Sequence, residues 1–109
     1  MTRISGLAIT ALLSLSALVA PAVVEASSEA TVIIARDCDY ILLDAGQGQV
    51  LIKLIQGERP KSGDRLSGAM QRGFSEFTNR RTQESIQVWV DMVDRGGTRA
   101  LMRYGQYCN

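Results

Sequence analysis

The side chains that could carry out catalysis are few, because the 109-residue chain contains no histidine and only two cysteines. The lack of histidine excludes serine–histidine–aspartate and cysteine–histidine catalysis, histidine-ligated zinc and the usual general base at neutral pH. If Cys38 and Cys108 form a disulfide, thiolate nucleophiles and thiolate metal sites are excluded as well. We therefore expect a protein that is not an enzyme and has no cofactor.

Carboxylates are the remaining reactive side chains. Asp91 and Asp94 lie close together in the sequence, while Asp37, Asp39 and Asp44 cluster in one segment. A carboxylate pair can hydrolyse a glycosidic bond across a substrate cleft, but a single small domain has little room for such a cleft. Calcium needs about six to eight oxygen ligands, and no EF-hand spacing follows Asp37. We therefore expect these aspartates to lie in solvent-facing turns and strand ends, with no metal site.

Two pairs of glycines have spacings found in phosphate-binding loops. Gly46 and Gly48 would need a third glycine at position 51, where Leu51 stands, and a helix after it, to form a dinucleotide-binding loop. Gly63 and Gly68 have the spacing of a Walker loop, but the lysine and hydroxyl residue that must follow are missing. Both pairs are therefore predicted to turn the chain rather than to bind phosphate.

Residues 1–26 have the layout of a secretory signal peptide, with a basic Arg3 followed by an apolar run over residues 7–19. This run is shorter than the roughly 20 apolar residues of a membrane-spanning helix. An uncleaved anchor is the alternative, since residues 21–24 could extend the run. We expect residues 27–109 to form one domain that is periplasmic or secreted and has no stable membrane span after cleavage.

The two cysteines lie at opposite ends of this domain. In an exported protein a Cys38–Cys108 disulfide is the default expectation, with two buried free thiols as the alternative. Closing a loop of about 70 residues would stabilise the fold by roughly 4 kcal/mol in the chain-entropy account. The chain carries 12 basic and 11 acidic side chains, so no strong electric field points to nucleic acid or an anionic membrane as a partner.

Alternating apolar residues predict a mainly β domain. A first strand is expected to be interrupted or bulged near residues 36–38, and a glycine-containing hairpin joins it to a second. The segment 65–77 predicts either one strongly bent strand or two short ones. The segment 85–92 shows the clearest alternation, with Ile86, Val88, Val90 and Met92 inward.

A short C-terminal helix is expected after these strands. Thr98 can cap it, and Leu101, Tyr104 and Cys108 share one side. A disulfide would attach this helix to the first strand, where it would close one open end of the sheet. The predicted fold is a small curled sheet or an OB- or SH3-like barrel of four to five strands with a short C-terminal helix.

The segment from ERPKSGDRLSG through RGF to VWVDM resembles the middle of small exported bacterial OB-like or SH3-like barrel domains of unassigned function. The resemblance covers roughly residues 39–108. A standard OB-fold has a helix between its third and fourth strands, and the TNRRTQE segment is too short for one. The resemblance implies a barrel and no functional residue. It rests on Pro60, Gly63, Asp64, Gly68, Gly73, Phe74 and Trp89.

One surface has the composition of a binding site. Small barrels that bind oligosaccharides or single-stranded nucleic acids combine cationic groups with exposed aromatic faces. Trp89 is out of phase with the inward Val88 and Val90, which predicts that it faces outward. The alternative is that Trp89 packs under the helix against Leu101 or Tyr104. The candidate binding residues are Trp89, Phe74, Phe77, Arg65, Arg72, Arg80 and Arg81.

The leading hypothesis is an exported, non-enzymatic, disulfide-stapled binding or structural module that acts on an unknown protein or cell-envelope partner. An OB-like binder of oligosaccharide or single-stranded nucleic acid is the alternative, although the balanced charge argues against nucleic acid. A small carboxylate-dependent hydrolase ranks third.

Overall fold

The computed structural model describes residues 28–109, which form six strands and one helix. The predicted signal peptide, residues 1–26, lies outside these described residues. None of the helical structure within the described part is long and apolar enough to cross a membrane. The elements are β1 (Ser28–Ile34), β2 (Tyr40–Asp44), β3 (Gln49–Gln56), β4 (Arg65–Gly68), β5 (Gly73–Asn79), β6 (Glu84–Asp94) and α1 (Arg99–Cys108).

The strands form one closed antiparallel barrel in the order β1-β2-β3-β6-β5-β4. It consists of two three-stranded meanders, which the connection over residues 57–64 joins. β3 pairs with β6 along one seam, and β4 pairs with β1 along the other. Every strand therefore has a neighbour on both sides, and the sheet has no free edge of the kind that pairs with other chains.

The prediction of a small, mainly β barrel with a short C-terminal helix is confirmed. The barrel has six strands rather than four or five, because both ambiguous segments divide into two. Residues 35–39 form a loop between β1 and β2, and residues 69–72 form another between β4 and β5. A standard OB-fold has five strands, so the structure supports the barrel but not that particular assignment.

The turn between β2 and β3 explains the glycine pair of the sequence. Gly46 has a φ of +87°, which a residue without a Cβ adopts at no steric cost. A Cβ on Gly48 would lie 2.2 Å from the backbone oxygen of Asp94, so glycine is needed for the turn to approach the end of β6. Both glycines allow the chain to turn here, as predicted.

Alternate residues of the strands fill the interior. Phe77, Ile52 and Val90 are completely buried, and Ile86 and Val88 are nearly so. They belong to one apolar cluster that receives side chains from all six strands. The inward positions predicted for β6 are therefore confirmed at these three β6 residues.

Met92 is the exception on β6, since it lies on the outside of the barrel. The register between β3 and β6 shifts between the pairs Leu51–Met92 and Ile52–Val90. Such a bulge places one extra residue, Asp91, in β6 and reverses the side on which the following residues point. Met92 packs in a second apolar cluster beneath the helix, so the prediction that it faces inward was wrong.

α1 packs on the outer wall of the barrel and does not close an end. Ala100 and Tyr104 of the helix are buried against Leu42 of β2 and Leu51 of β3. Leu101 points away from this contact and is 43% exposed. The predicted buried face was therefore correct at Tyr104 and wrong at Leu101, because Ala100 rather than Leu101 meets the sheet.

The disulfide between Cys38 and Cys108 is present, with its Cα atoms 5.7 Å apart. It joins the loop before β2 to the last residue of α1. The prediction of this disulfide is confirmed, and the free-thiol alternative is excluded. The bond holds the helix against the outer wall of β2 and β3.

Candidate binding surface

Four neighbouring strands carry a continuous row of side chains on the outer face of the barrel. Tyr40 of β2 pairs with Lys53 of β3, Lys53 pairs with Trp89 of β6, and Trp89 pairs with Phe74 of β5. Each alternates with inward core residues of its own strand, so all four point outward. We call these four residues the aromatic row.

One end of the aromatic row is an aromatic pair. The ring centroids of Phe74 and Trp89 are 4.8 Å apart, and the ring planes meet at 71°. This edge-to-face geometry is favoured by the ring quadrupoles. Phe74 is 79% exposed, whereas Trp89 is half-buried. Trp89 thus lies on the outer wall against Phe74, and it is not part of the cluster beneath α1.

The other end of the aromatic row meets the helix. Tyr107 of α1 lies beside Tyr40, with ring centroids 4.4 Å apart. Burial raises the pKa of the Tyr40 hydroxyl above its usual value, and the neighbouring Asp91, Tyr107 and Asp39 raise it further. Because Tyr107 precedes the disulfide-bonded Cys108, the disulfide keeps the two tyrosine rings together.

Lys53 supplies the positive charge between the two ends. Its ammonium group lies 5.8 Å from the centre of the Tyr40 ring, within range of a cation–π interaction. No ion pair joins Lys53 to a carboxylate among residues 28–109. The nearby Asp91 instead pairs with Arg103 of α1 at 3.1 Å.

Phe77 does not belong to the binding surface that the sequence suggested. Its side chain is completely buried in the barrel core. Phe74 and Phe77 are an odd number of residues apart on β5, so they must point to opposite faces of the strand. The prediction that both contribute to one surface was therefore wrong.

Three of the four candidate arginines are ion-paired away from Trp89. Arg65 and Arg80 both bind Glu29, and Arg81 binds Asp64. These contacts lie near the end of β5, about 20 Å along the strand from its start by the usual rise per residue. The structure does not bring these arginines together with Phe74 and Trp89.

Arg72 is placed differently, because it lies in the exposed loop just before Phe74. Within the described part of the chain, no acidic side chain is close enough to form an ion pair with it. Arg72 is therefore the one candidate arginine near the exposed end of the aromatic row.

Asp64 is a buried acid whose role the sequence did not reveal beyond a turn. Its carboxylate accepts hydrogen bonds from Arg81 Nε at 2.8 Å, and from Asn79 Nδ2 and the Lys61 backbone N–H at 2.9 Å. Burial alone would raise the pKa of Asp64, but these donors outweigh it and lower the pKa to about 2. A carboxylate so fully bonded holds β4 and β5 together and is not free to transfer a proton.

Three further aspartates also have structural partners. Asp94 is buried and accepts a hydrogen bond from the Ala100 backbone N–H at the start of α1. Asp44 accepts one from Gly46 in the β2–β3 turn, and Asp39 lies 3.7 Å from Arg59. Over residues 28–109 no group of three or more histidine, cysteine or acidic side chains is arranged to hold a metal ion.

A shallow cavity of about 280 Å³ lies at the barrel end opposite the disulfide. Four of its lining residues are polar or charged, and one of these, Glu29, is engaged by two arginines. Its lining residues are Ser28, Glu29, Ala45, Gln47, Gly48, Val50, Met70, Val93 and Arg95.

Comparison with protein-family models, with curated proteins and with solved structures finds no match to this chain. The function must therefore be inferred from the geometry of the chain itself.

Proposed function

We propose that the protein is an exported, disulfide-stapled binding module without catalytic activity, which engages a protein or cell-envelope partner through the aromatic row. The observation that carries this proposal is the exposure of Phe74 on top of the half-buried Trp89. Export is supported by the N-terminal sequence layout and by the disulfide, which persists in oxidising compartments.

The chemistry of the aromatic row supports a role in binding. Aromatic side chains provide large contact areas at a small cost in side-chain entropy, and they dominate the energetics of many interfaces. In the aromatic row, the sheet and the helix hold these rings in place before a partner arrives. Such preorganisation favours binding because less ordering entropy is lost on association.

An oligosaccharide, the alternative ligand, would contact the same rings. A glycan of the cell envelope would therefore still belong to the proposed class of envelope partners. Single-stranded nucleic acid has less support. Arg65, Arg80 and Arg81, which would contact phosphates, are bound to carboxylates and lie away from Trp89. Nucleic-acid binding should also weaken steeply with added salt, whereas contacts through aromatic rings should not.

The test is co-sedimentation of the purified protein with isolated cell envelopes from the organism that encodes it. Phe74→Ala should lower the retained fraction at least about fivefold, the usual effect of truncating an interface hot spot. Met102→Ala is the matched control, because Met102 is 61% exposed on the helix and outside the aromatic row. Equal retention of the two variants would reject the proposal.

Two further conditions identify the class of partner. Protease treatment of the envelopes should abolish retention if the partner is a protein and leave it intact if the partner is a glycan. Retention that persists at high salt would argue against nucleic acid.

A further inference from the structure

The strands end at different levels around one end of the barrel, and this leaves an opening in the wall. β6 continues to Asp94, although its last pair with β5 is at Val90. β1 lines the opening through Ser28, and it pairs with β2 only from Thr31 onward. The cavity of about 280 Å³ lies in this opening, beside the loop over residues 69–72.

The floor of this cavity is apolar and continues the interior of the barrel. Val50 is buried in the core cluster. Ala45, Met70 and Val93 pack against that cluster and also line the cavity. These side chains offer no strong hydrogen-bond donor or acceptor, and the Ala45 backbone N–H already bonds to the Gly48 carbonyl oxygen at 2.8 Å. A group that lies on this floor should therefore be hydrocarbon, because a buried polar group without a hydrogen-bond partner is costly.

One wall of the cavity is held in place by close backbone packing. An added Cβ on Gly48 would lie 2.7 Å from the Arg95 Cα atom, so the β2–β3 turn packs directly on the chain that leaves β6. Met70 lies on the loop between β4 and β5, and its unbranched side chain can adapt its shape to a ligand. A wall that is already formed favours binding, because less ordering entropy is lost on association.

The rim of the cavity carries a cation that is available to an anionic ligand. Arg95 is exposed, and none of the ion pairs among residues 28–109 includes it. The other charged group on the rim, Glu29, is bound by both Arg65 and Arg80. Two cations surround this single carboxylate, so the cluster adds positive charge beside the cavity. An anionic head group would therefore be attracted to the rim, and a cationic one would be repelled.

A carboxylate is the head group that suits these donors. A guanidinium group can donate two parallel hydrogen bonds to one carboxylate, and such charge-assisted bonds are stronger than neutral ones. Ser28 and Gln47 add neutral donors on the same rim. The nearby carboxylate of Asp94 does not compete for Arg95, because it is buried and accepts a hydrogen bond from the Ala100 backbone N–H.

We propose that this end of the barrel binds a small fatty carboxylate, with its hydrocarbon chain on the apolar floor and its carboxylate at Arg95. The cavity volume lies just below the range of about 300–1,000 Å³ that is usual for small-molecule sites, which favours one short chain. A peptide C-terminus has the same carboxylate, but its amide groups would find no partners on the floor. No residue of the aromatic row lines the cavity, so this site is separate from the surface of the proposed function and does not depend on it.

The experiment titrates isotope-labelled protein, purified from cells expressing the full chain, with octanoate and follows the backbone amides by NMR. Octanoate should shift the amide signals of Gly48, Met70 and Val93. Three control ligands are octanol, which lacks the charge, octylammonium, which reverses it, and acetate, which lacks the chain. Each should bind at least about fivefold more weakly than octanoate, because a charge-assisted hydrogen bond or a few buried methylene groups contribute at least this factor.

Variants of Arg95 separate recognition of the head group from structural damage. Arg95→Gln should weaken octanoate binding at least about fivefold and leave octanol binding unchanged. Arg36→Gln is the matched control and should change neither, because Arg36 is exposed in the loop between β1 and β2 and does not line the cavity. Arg95→Glu should bind octylammonium more tightly than octanoate. A variant that had merely lost its fold could not reverse its preference between the two ligands.

Several results would overturn this inference. Octanoate might shift no amide of the cavity, or its shifts might centre on Phe74 and Trp89, and the barrel end would then not be the site. Equal weakening by Arg95→Gln and Arg36→Gln would reduce the effect to overall charge. Tighter binding of an acetylated peptide that ends in leucine would assign the cavity to protein C-termini instead. None of these results would affect the proposed function, which envelope retention of Phe74→Ala tests independently.

Discussion

The outer wall of the barrel has two regions that differ in how their apolar side chains are covered. Over β2 and β3, Leu42 and Leu51 are buried beneath α1. Over β5 and β6, Phe74 and Trp89 contact each other, and Phe74 remains 79% exposed. Both regions belong to one closed sheet whose interior core is complete without them.

This difference separates stability from binding. A barrel needs apolar side chains only on its inner face, so apolar residues on the outer face need a cover of their own or mark a contact surface. The chain provides that cover over β2 and β3 with a helix held by a disulfide. Over β5 and β6 the described residues provide no such cover. Changes at Leu42 or Leu51 should therefore reduce stability, and changes at Phe74 or Trp89 should reduce binding.

The largest expected effect comes from breaking the disulfide that holds the cover in place. The bond joins residues separated by 70 positions, so its loss should lower the free energy of unfolding by about 4 kcal/mol. For a domain of this size the melting temperature should fall by more than about 10 °C. Thermal unfolding of Cys108→Ser against the oxidised protein measures this.

The double variant Cys38→Ser/Cys108→Ser serves as the control and should have the same melting temperature as Cys108→Ser. Unchanged melting in both would mean that packing alone holds α1 on the wall, and the staple would then have no role in stability.

The two regions can next be compared directly by truncating one side chain in each. Leu51→Ala should destabilise the protein by about 3 kcal/mol, because Leu51 is completely buried under the helix. Phe74→Ala should cost at most about 1 kcal/mol, the worth of its contact with Trp89. Urea unfolding of both variants measures the loss in the free energy of unfolding. Similar losses would show that the contact between Phe74 and Trp89 contributes to the stability of the fold.

Much of this fold can be predicted from local patterns, and the closure of the barrel cannot. Alternation identified the inward residues Ile86, Val88 and Val90, and turn glycines located the hairpin between β2 and β3. The pairing of β1 with β4 closes the sheet, and it joins segments far apart in sequence. The bulge at Asp91, which turns Met92 outward, likewise depends on the register between two strands rather than on either strand alone.

The candidate site, like the fold, could be predicted only in part from local sequence patterns. Alternation along β5 implies that Phe74 and Phe77 face opposite sides, although it does not say which one enters the core. The participation of Tyr40 and Lys53 depends on the register of four strands, which no single segment encodes. Tyr107 joins them only because α1 lies on the wall instead of over the barrel end.

Asp64 lies among polar side chains at one end of the barrel, and its contribution to the free energy of unfolding should depend on pH. The folded pKa of Asp64 is about 2, below its usual value of 3.8, so the carboxylate stabilises the fold above the unfolded pKa. This contribution is about 2 kcal/mol, and it is lost as the pH falls from about 4 through 2. Asp64→Asn, which cannot ionise, should lack this component of the acid sensitivity.

The measurement is urea unfolding of both proteins between pH 6 and pH 2. The difference in the free energy of unfolding between them should shrink as the pH falls. A constant difference would mean that Arg81 and Asn79 stabilise the neutral form of Asp64 as well as its charged form.

The smallest expected effect concerns the start of the covering helix. Thr98 occupies the capping position but makes no side-chain hydrogen bond to the helix, whereas the Asp94 carboxylate accepts one from the Ala100 backbone N–H at 3.2 Å. Asp94→Ala should therefore cost about 1 kcal/mol, as loss of a capping group does, and Thr98→Ala should cost much less. Thermal unfolding of the two variants tests this order. The reverse order would make Thr98 the cap, as the sequence pattern alone suggests, and would leave burial of the Asp94 carboxylate without a stabilising role.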